Sequence, residues 1–254
     1  MFAATVPKQH GAWTVLIACF VIGSAVAPRF GLESILLFVS VIAAFLGRGA
    51  LGRYLCFSPW IMFYSGIFLL GGAWLVFGYN LRFLIPLGIA GLGLSAFSLV
   101  LEKDKKDMTL SGQVINILGL SLAAPAAEYC ASGVYSLKTL GVWLVCISFF
   151  LGSLFHVRFL VRRRLEASGE FMERLRAGLP SLAFHLGALL GVEVLSEFRV
   201  LPLFAPLALA PVTLKAAWPI IRRRPNPLPV KIIGRWELVH TLIFLIVTVW
   251  VFRV

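Results

Sequence analysis

Residues 13–28 read W-T-V-L-I-A-C-F-V-I-G-S-A-V-A-P and contain no charged side chain. A helix that crosses a bilayer needs about 20 mostly apolar residues, with a range of about 17–25. Similar segments recur along the whole chain, at 32–47, 59–78, 82–101, 110–127, 138–157, 179–195, 200–220 and 236–253. The sequence therefore predicts an all-α polytopic membrane helix bundle of about nine transmembrane helices. We expect residues 1–254 to form a single membrane-embedded helical domain.

The composition excludes a water-soluble fold. The chain of 254 residues is 60% hydrophobic and only 13% charged, and its mean hydropathy is +0.94. Soluble domains contain about 25% charged residues, so this chain lacks the charges that a water-facing surface requires. Its net charge of +12 comes from basic residues in loops beside apolar segments. The lipid bilayer is thus the expected partner, and nucleic acid is not.

The distribution of basic residues predicts the orientation of the chain. Cytoplasmic loops of membrane proteins are enriched in Lys and Arg. If the N-terminus is cytoplasmic and nine segments span, 18 of the 23 basic residues fall on the cytoplasmic side. The other five are Arg29, Arg82, Lys138, Arg199 and Arg253. The seventh segment contains His185 and ends near Glu193, so a count of eight remains the alternative.

Polar side chains gather near the predicted cytoplasmic ends of the segments. A ring of such groups suits a phosphate or carboxylate whose lipid tail lies between helices. The candidate substrate-binding residues are Lys8, His10, Arg48, Arg53, His156, Arg158, Arg162, Lys231 and Arg235. The positive-inside rule alone also produces such a ring, so plain orientation is the competing interpretation.

Three residues, His10 again and two new ones, are candidate catalytic residues. His10 precedes the first segment, and Glu237 and His240 are three apart at the start of the ninth, where helical spacing lets them touch. Asp104 and Asp107 are weak candidates for a metal site, because interspersed lysines neutralise them and favour a solvated loop. The sequence indicates no other metal site and no particular cofactor.

Other polar positions have structural interpretations. Glu128 and Glu193 are expected near the outer interface, exposed to water. Gln113 and Asn116 are expected to join neighbouring helices by hydrogen bonds. His185 lies deep in its segment and serves either helix packing or proton relay. Residues 156–178 predict a short helix lying on the inner membrane surface.

Several motifs resemble the YwiC-like family of bacterial membrane proteins. They are PKQHGAW (7–13), FLGRGALGR (45–53), LSLAAPAAEY (120–129), FHVRFLVR (155–162) and KIIGRWEL (231–238). The resemblance implies a multi-pass protein of the bacterial cytoplasmic membrane and supplies no established activity. Lys8 alone would be enough to orient the first segment in the membrane. The presence of His10 and Trp13 beside it therefore favours a segment that forms one wall of a binding site. We expect His10 to lie within reach of Arg48 or Arg158 around an inner-facing cavity.

Three functions from different classes remain open. The first is an enzyme similar to UbiA-type prenyltransferases, which are also nine-helix bundles with a cytoplasm-facing polar site. That family carries Asp-rich motifs after its second and sixth helices, where this chain has Arg48, Arg53 and Arg162 to Arg164. The second is a transporter of a small anion or lipid, in which His185 and Glu193 would line a polar path. The third is a structural or assembly subunit of a membrane complex.

Overall fold

The computed structural model describes residues 10–53, 59–165, 171–222 and 229–254. These residues are mainly helical, and no β-strand occurs among them. The helices in chain order are α1 (His10–Val26), α2 (Leu32–Arg53), α3 (Pro59–Ala73), α4 (Leu84–Lys103), α5 (Leu110–Ser121), α6 (Ala123–Ser132), α7 (Leu137–Leu165), α8 (Phe171–Glu197), α9 (Pro206–Ile221) and α10 (Val230–Arg253). A π-helical turn, Trp74–Gly78, continues α3.

The predicted spans agree with these helices. Over the described residues, seven helical stretches are long and apolar enough to cross a membrane, and two apolar helices, α1 and α9, are shorter. Each predicted segment coincides with one helix or with two consecutive helical pieces. The all-α membrane fold is therefore confirmed, and the predicted count of about nine is close. The seventh segment is present as the interior of α8.

The predicted interfacial helix at 156–178 is wrong. Helix α7 continues to Leu165, and Phe171 already begins the 27-residue α8. Arg174, expected on the membrane surface, is buried, and its Nε donates to the carbonyl oxygen of Ile220 at 3.1 Å. The first turns of α8 therefore pack against α9. Glu170, its expected partner, lies outside the described residues.

The chain divides into two compact units, Met1–Trp143 and Leu144–Val254, with the boundary inside α7. The first unit contains α1 to α6. Helix α1 packs against α6 so closely that a Cβ on Gly23 would overlap the carbonyl oxygen of Ala124. Trp13 and Phe45 meet edge to face at 4.8 Å between ring centroids, which joins α1 to α2.

The fifth predicted span is interrupted for a single residue. It forms α5 and α6, separated by Leu122, whose backbone angles (φ −59°, ψ −17°) stay in the right-handed helical region. Pro125 explains the break, because a proline ring clashes with the carbonyl four residues earlier and has no N–H to donate. The indole Nε1 of Trp143 donates to the hydroxyl of Ser121 at 3.1 Å beside this break.

The second unit is held by aromatic and small-residue contacts. Phe149 of α7 stacks on Phe244 of α10, with 3.9 Å between centroids. Helix α8 packs on α9 at Gly178, where an added Cβ would lie 2.6 Å from Ile220. These contacts join α7 to α10 and α8 to α9.

Candidate functional site

The first unit contains a cavity of about 650 Å³. Its wall is mostly apolar and comes from α1 to α6, including the π-helical turn. Drug-sized ligands occupy cavities of about 300–1,000 Å³ that combine an apolar wall with a few convergent polar groups. This cavity has both features, since Arg48, Ser98 and Asn116 are among its lining residues.

These three residues are joined by hydrogen bonds and form, with Glu102, what we call the Arg48 cluster. Nη2 of Arg48 donates to the hydroxyl of Ser98 at 2.6 Å and to Oδ1 of Asn116 at 3.4 Å. The same hydroxyl donates to Oδ1 of Asn116 at 2.5 Å. The cluster links α2, α4 and α5. Asn116, expected to join helices, does so.

A carboxylate balances the guanidinium. Glu102 Oε2 lies 3.6 Å from Nη2 of Arg48, and the two side chains are 40% and 16% exposed, respectively. Asp107 is also within electrostatic range of Arg48. Over the described residues, every polar contact of Arg48 is made by Nη2. Its Nε and Nη1 groups therefore retain N–H donors for a ligand.

Irregular backbone borders the cavity. The π-helical turn contributes Leu75 and Val76, and the break between α5 and α6 contributes Leu122 and Ala123. π-Helical turns occur frequently at functional sites. The cavity therefore lies where two helices of the first unit depart from regular geometry.

The other predicted binding residues of the first unit lie at the edge of the described structure. Lys8 falls outside the described residues, and the side chains of His10 and Arg53 are not described. The expected approach of His10 to Arg48 therefore stays a prediction. Helix α1 does reach the cavity, through Ala12 and Leu16.

The second unit contains a separate polar cluster, which we call the Glu237 cluster. Lys215 Nζ lies 3.0 and 2.9 Å from Oε1 and Oε2 of Glu237, and Ser153 donates to Oε2. The side chains of Lys215 and Glu237 are 10% and 17% exposed. Glu237, a predicted neighbour of His240, pairs with Lys215, while Nδ1 of His240 faces the carbonyl of Trp236 at 2.6 Å.

Two buried histidines accompany this cluster. His185 is 2% exposed, and its Nδ1 lies 2.7 Å from the carbonyl oxygen of Ser181. A carbonyl only accepts hydrogen bonds, so Nδ1 carries the proton. Nε2 of His185 and Nδ1 of the buried His156 have no hydrogen-bond partner within the described part of the chain. Lys215 is within electrostatic range of both rings.

The remaining predicted site residues lie mostly at exposed positions. Asp104 pairs with Lys106 at 3.6 Å in an exposed loop. No group of three or more His, Cys, Asp or Glu side chains suited to a metal occurs in the described ranges. The predicted binding residues Arg158, Arg162, Lys231 and Arg235 are exposed.

The expectation for the two outer glutamates is half wrong. Glu193 is exposed, but Glu128 is 2% exposed and accepts a hydrogen bond from Thr139 at 2.5 Å. Sequence position near a helix end did not reveal this burial. Because His185 is buried and Glu193 exposed, the two do not share one environment.

Sequence reasoning missed Ser98, Ser153 and the role of Lys215. Serines in an apolar helix carry little sequence signal, because they also occur as packing residues. Lys215 did carry one, since a lysine inside an apolar segment needs a partner. Because Lys215 lies six residues before the end of α9, it was counted only as a basic residue of the predicted cytoplasmic side.

The chain was compared with known families, curated proteins and solved structures. Residues 6–128 match the family described as YwiC-like protein. The motifs at 155–162 and 231–238 lie beyond the matched residues. No curated protein and no solved structure matches the chain significantly. The match covers slightly less than half of the chain and includes the lining residues of the cavity, so over residues 6–128 the chain is similar to the YwiC-like family, a membrane protein family of unknown function.

Proposed function

We propose that the first unit binds an amphiphilic molecule within the membrane. The hydrocarbon chain of this ligand lies along the apolar wall of the cavity, and its polar head contacts the Arg48 cluster. The observation that carries the proposal is the position of Arg48 on the wall of a mostly apolar cavity of about 650 Å³.

The chemistry of Arg48 supports this proposal. A charged side chain within an apolar helix is costly, by roughly 2.5–3.5 kcal/mol on insertion scales, and usually marks function or a tight pair. Glu102 and Ser98 offset part of this cost. The donors left on Nε and Nη1 suit a head group that accepts hydrogen bonds.

The experiment is identification of the ligand that co-purifies with the full chain in a mild detergent. We expect mass spectrometry to find one amphiphile at near-stoichiometric amount, and Arg48→Gln to lower its amount at least tenfold. Arg176→Gln removes an exposed arginine of α8 and is the matched control. Equal ligand in both variants would refute binding at Arg48.

A second pair of variants tests the apolar part of the cavity. Gly88 lines the cavity, and an added Cβ there meets nothing within 4 Å, so we expect the side chain of Gly88→Leu to occupy cavity space. Gly93 on the same helix is equally open but does not line the cavity. We expect Gly88→Leu to exclude the ligand and Gly93→Leu to retain it.

A more specific hypothesis is that the protein is a transferase that acts on the bound amphiphile. The chain carries Arg48 where UbiA-type enzymes carry Asp-rich motifs, so the head would be held by the guanidinium directly. We place the protein in the bacterial cytoplasmic membrane with its N-terminus inside. The basic residues support this orientation, because most of them fall on one side.

Transport is the second candidate, and the Glu237 cluster favours it. Paired ionisable groups inside transmembrane helices mark ion and proton pathways in many transporters. Lys215, Glu237, His156 and His185 provide such groups within the second unit. We expect a transporter to lose uptake in Glu237→Gln while keeping ligand at Arg48, whereas unchanged uptake would remove this candidate.

A further inference from the structure

The Arg48 cluster offers hydrogen-bond donors to the cavity. Oδ1 of Asn116 accepts from both Arg48 and Ser98, which leaves the two N–H donors of its amide for other partners. Arg48 adds the donors on Nε and Nη1, since its described contacts fall on Nη2. A ligand head that accepts hydrogen bonds complements this arrangement.

The charge of the cluster is already balanced. Glu102 lies 3.6 Å from Nη2 of Arg48, and Asp107 is within electrostatic range of the guanidinium. An anionic head at Arg48 would lie close to these carboxylates, of which Glu102 is 40% exposed, and would be repelled by their like charge. An uncharged head avoids this repulsion and still accepts from the free donors.

We propose that the cavity selects an uncharged amphiphile whose head presents carbonyl-type oxygens, such as an ester or a quinone. This inference rests on the proposed binding of an amphiphile at Arg48. Glu102 sets the selectivity, because it balances the guanidinium and discourages a second anion. Ser98 and Asn116 hold the guanidinium in place, so the free N–H groups keep one orientation.

The test compares two probes that have the same 12-carbon chain. Monolaurin carries an uncharged ester head, and dodecyl phosphate carries an anionic head. Binding of each to the full chain in phosphatidylcholine nanodiscs is measured by native mass spectrometry. We expect monolaurin to bind at least tenfold more tightly than dodecyl phosphate, and Gly88→Leu to weaken binding of both probes.

Glu102→Gln is the decisive variant. It removes the balancing charge while preserving size, so we expect the preference for monolaurin to fall at least tenfold. Asp104→Asn makes the same charge change in an exposed residue nearby and is expected to leave the preference unchanged. A preference equally altered by both variants would overturn the role of Glu102.

The outcomes separate the two proposals. If dodecyl phosphate binds the unmodified chain as tightly as monolaurin, with both sensitive to Gly88→Leu, the uncharged head is refuted and amphiphile binding survives. If Gly88→Leu and Arg48→Gln leave the binding of both probes unchanged, or if neither probe binds, both proposals fail. If Glu102→Gln does not fold, the probe preference of the unmodified chain decides the inference.

Discussion

Lys215 on α9 and Glu237 on α10 form a two-oxygen ion pair, with Nζ 3.0 and 2.9 Å from the carboxylate oxygens. Both side chains are largely buried. Removing one partner of a buried pair leaves an uncompensated charge, which costs about 3–5 kcal/mol. We therefore expect Lys215→Met to lower the free energy of unfolding by about this amount, measured by denaturant titration in a mild detergent.

The double variant Lys215→Met, Glu237→Gln provides the control for this prediction. It removes both charges, so it should recover at least half of the stability that Lys215→Met loses. Glu193→Gln changes an exposed glutamate of α8 and should have little effect. A double variant as unstable as the single one would show that the charge pair does not cause the loss.

Gly23 on α1 is required for close packing against α6. A glycine in a helix interior normally costs about 0.5–1 kcal/mol relative to alanine, so Gly→Ala should stabilise α1. At Gly23 we expect the opposite sign, because the added Cβ would overlap the carbonyl oxygen of Ala124. Overpacking of this kind typically costs about 1–3 kcal/mol, seen as a lower thermal midpoint in detergent.

Gly11 on the same helix is the matched control. A Cβ there meets nothing within 4 Å, so Gly11→Ala should leave the thermal midpoint unchanged or raise it. If Gly23→Ala is as stable as Gly11→Ala, the close approach of α1 and α6 is wrong.

The sequence predicted the helices because hydropathy over a window of about 20 residues is a local property. It did not predict the Arg48 cluster, whose hydrogen bonds join residues 50 and 68 positions apart. Such contacts depend on which faces of α2, α4 and α5 meet. The break before Pro125 did have a signal, since proline disrupts a helix locally. It was missed because the apolar run continues through it.

Gly152 on α7 makes room for the imidazole of His185. A Cβ on Gly152 would lie 2.9 Å from Nε2 of that ring. We expect Gly152→Ala to displace the ring and destabilise the second unit by about 1–3 kcal/mol. His185→Ala removes the ring, so the two substitutions together should cost less than the sum of their separate effects.

This coupling is measured by a double-mutant cycle of unfolding free energies. Gly187→Ala on α8 is the control, because an added Cβ there meets nothing within 4 Å. We expect Gly187→Ala and His185→Ala to be additive. Additivity between Gly152→Ala and His185→Ala would exclude the contact between α7 and α8 at this position.

The predicted sidedness can be tested in the first unit alone. Asp104 lies after α4 in the basic loop, and Val134 lies after α6, where it is 64% exposed. Cytoplasmic enrichment of Lys and Arg predicts that these loops face opposite sides of the membrane. In a background with all four cysteines replaced by alanine, an impermeant maleimide should label Val134→Cys in intact cells. Asp104→Cys should react only after the membrane is opened. Its labelling in intact cells would contradict the predicted orientation, and with it the predicted cytoplasmic position of the Arg48 cluster.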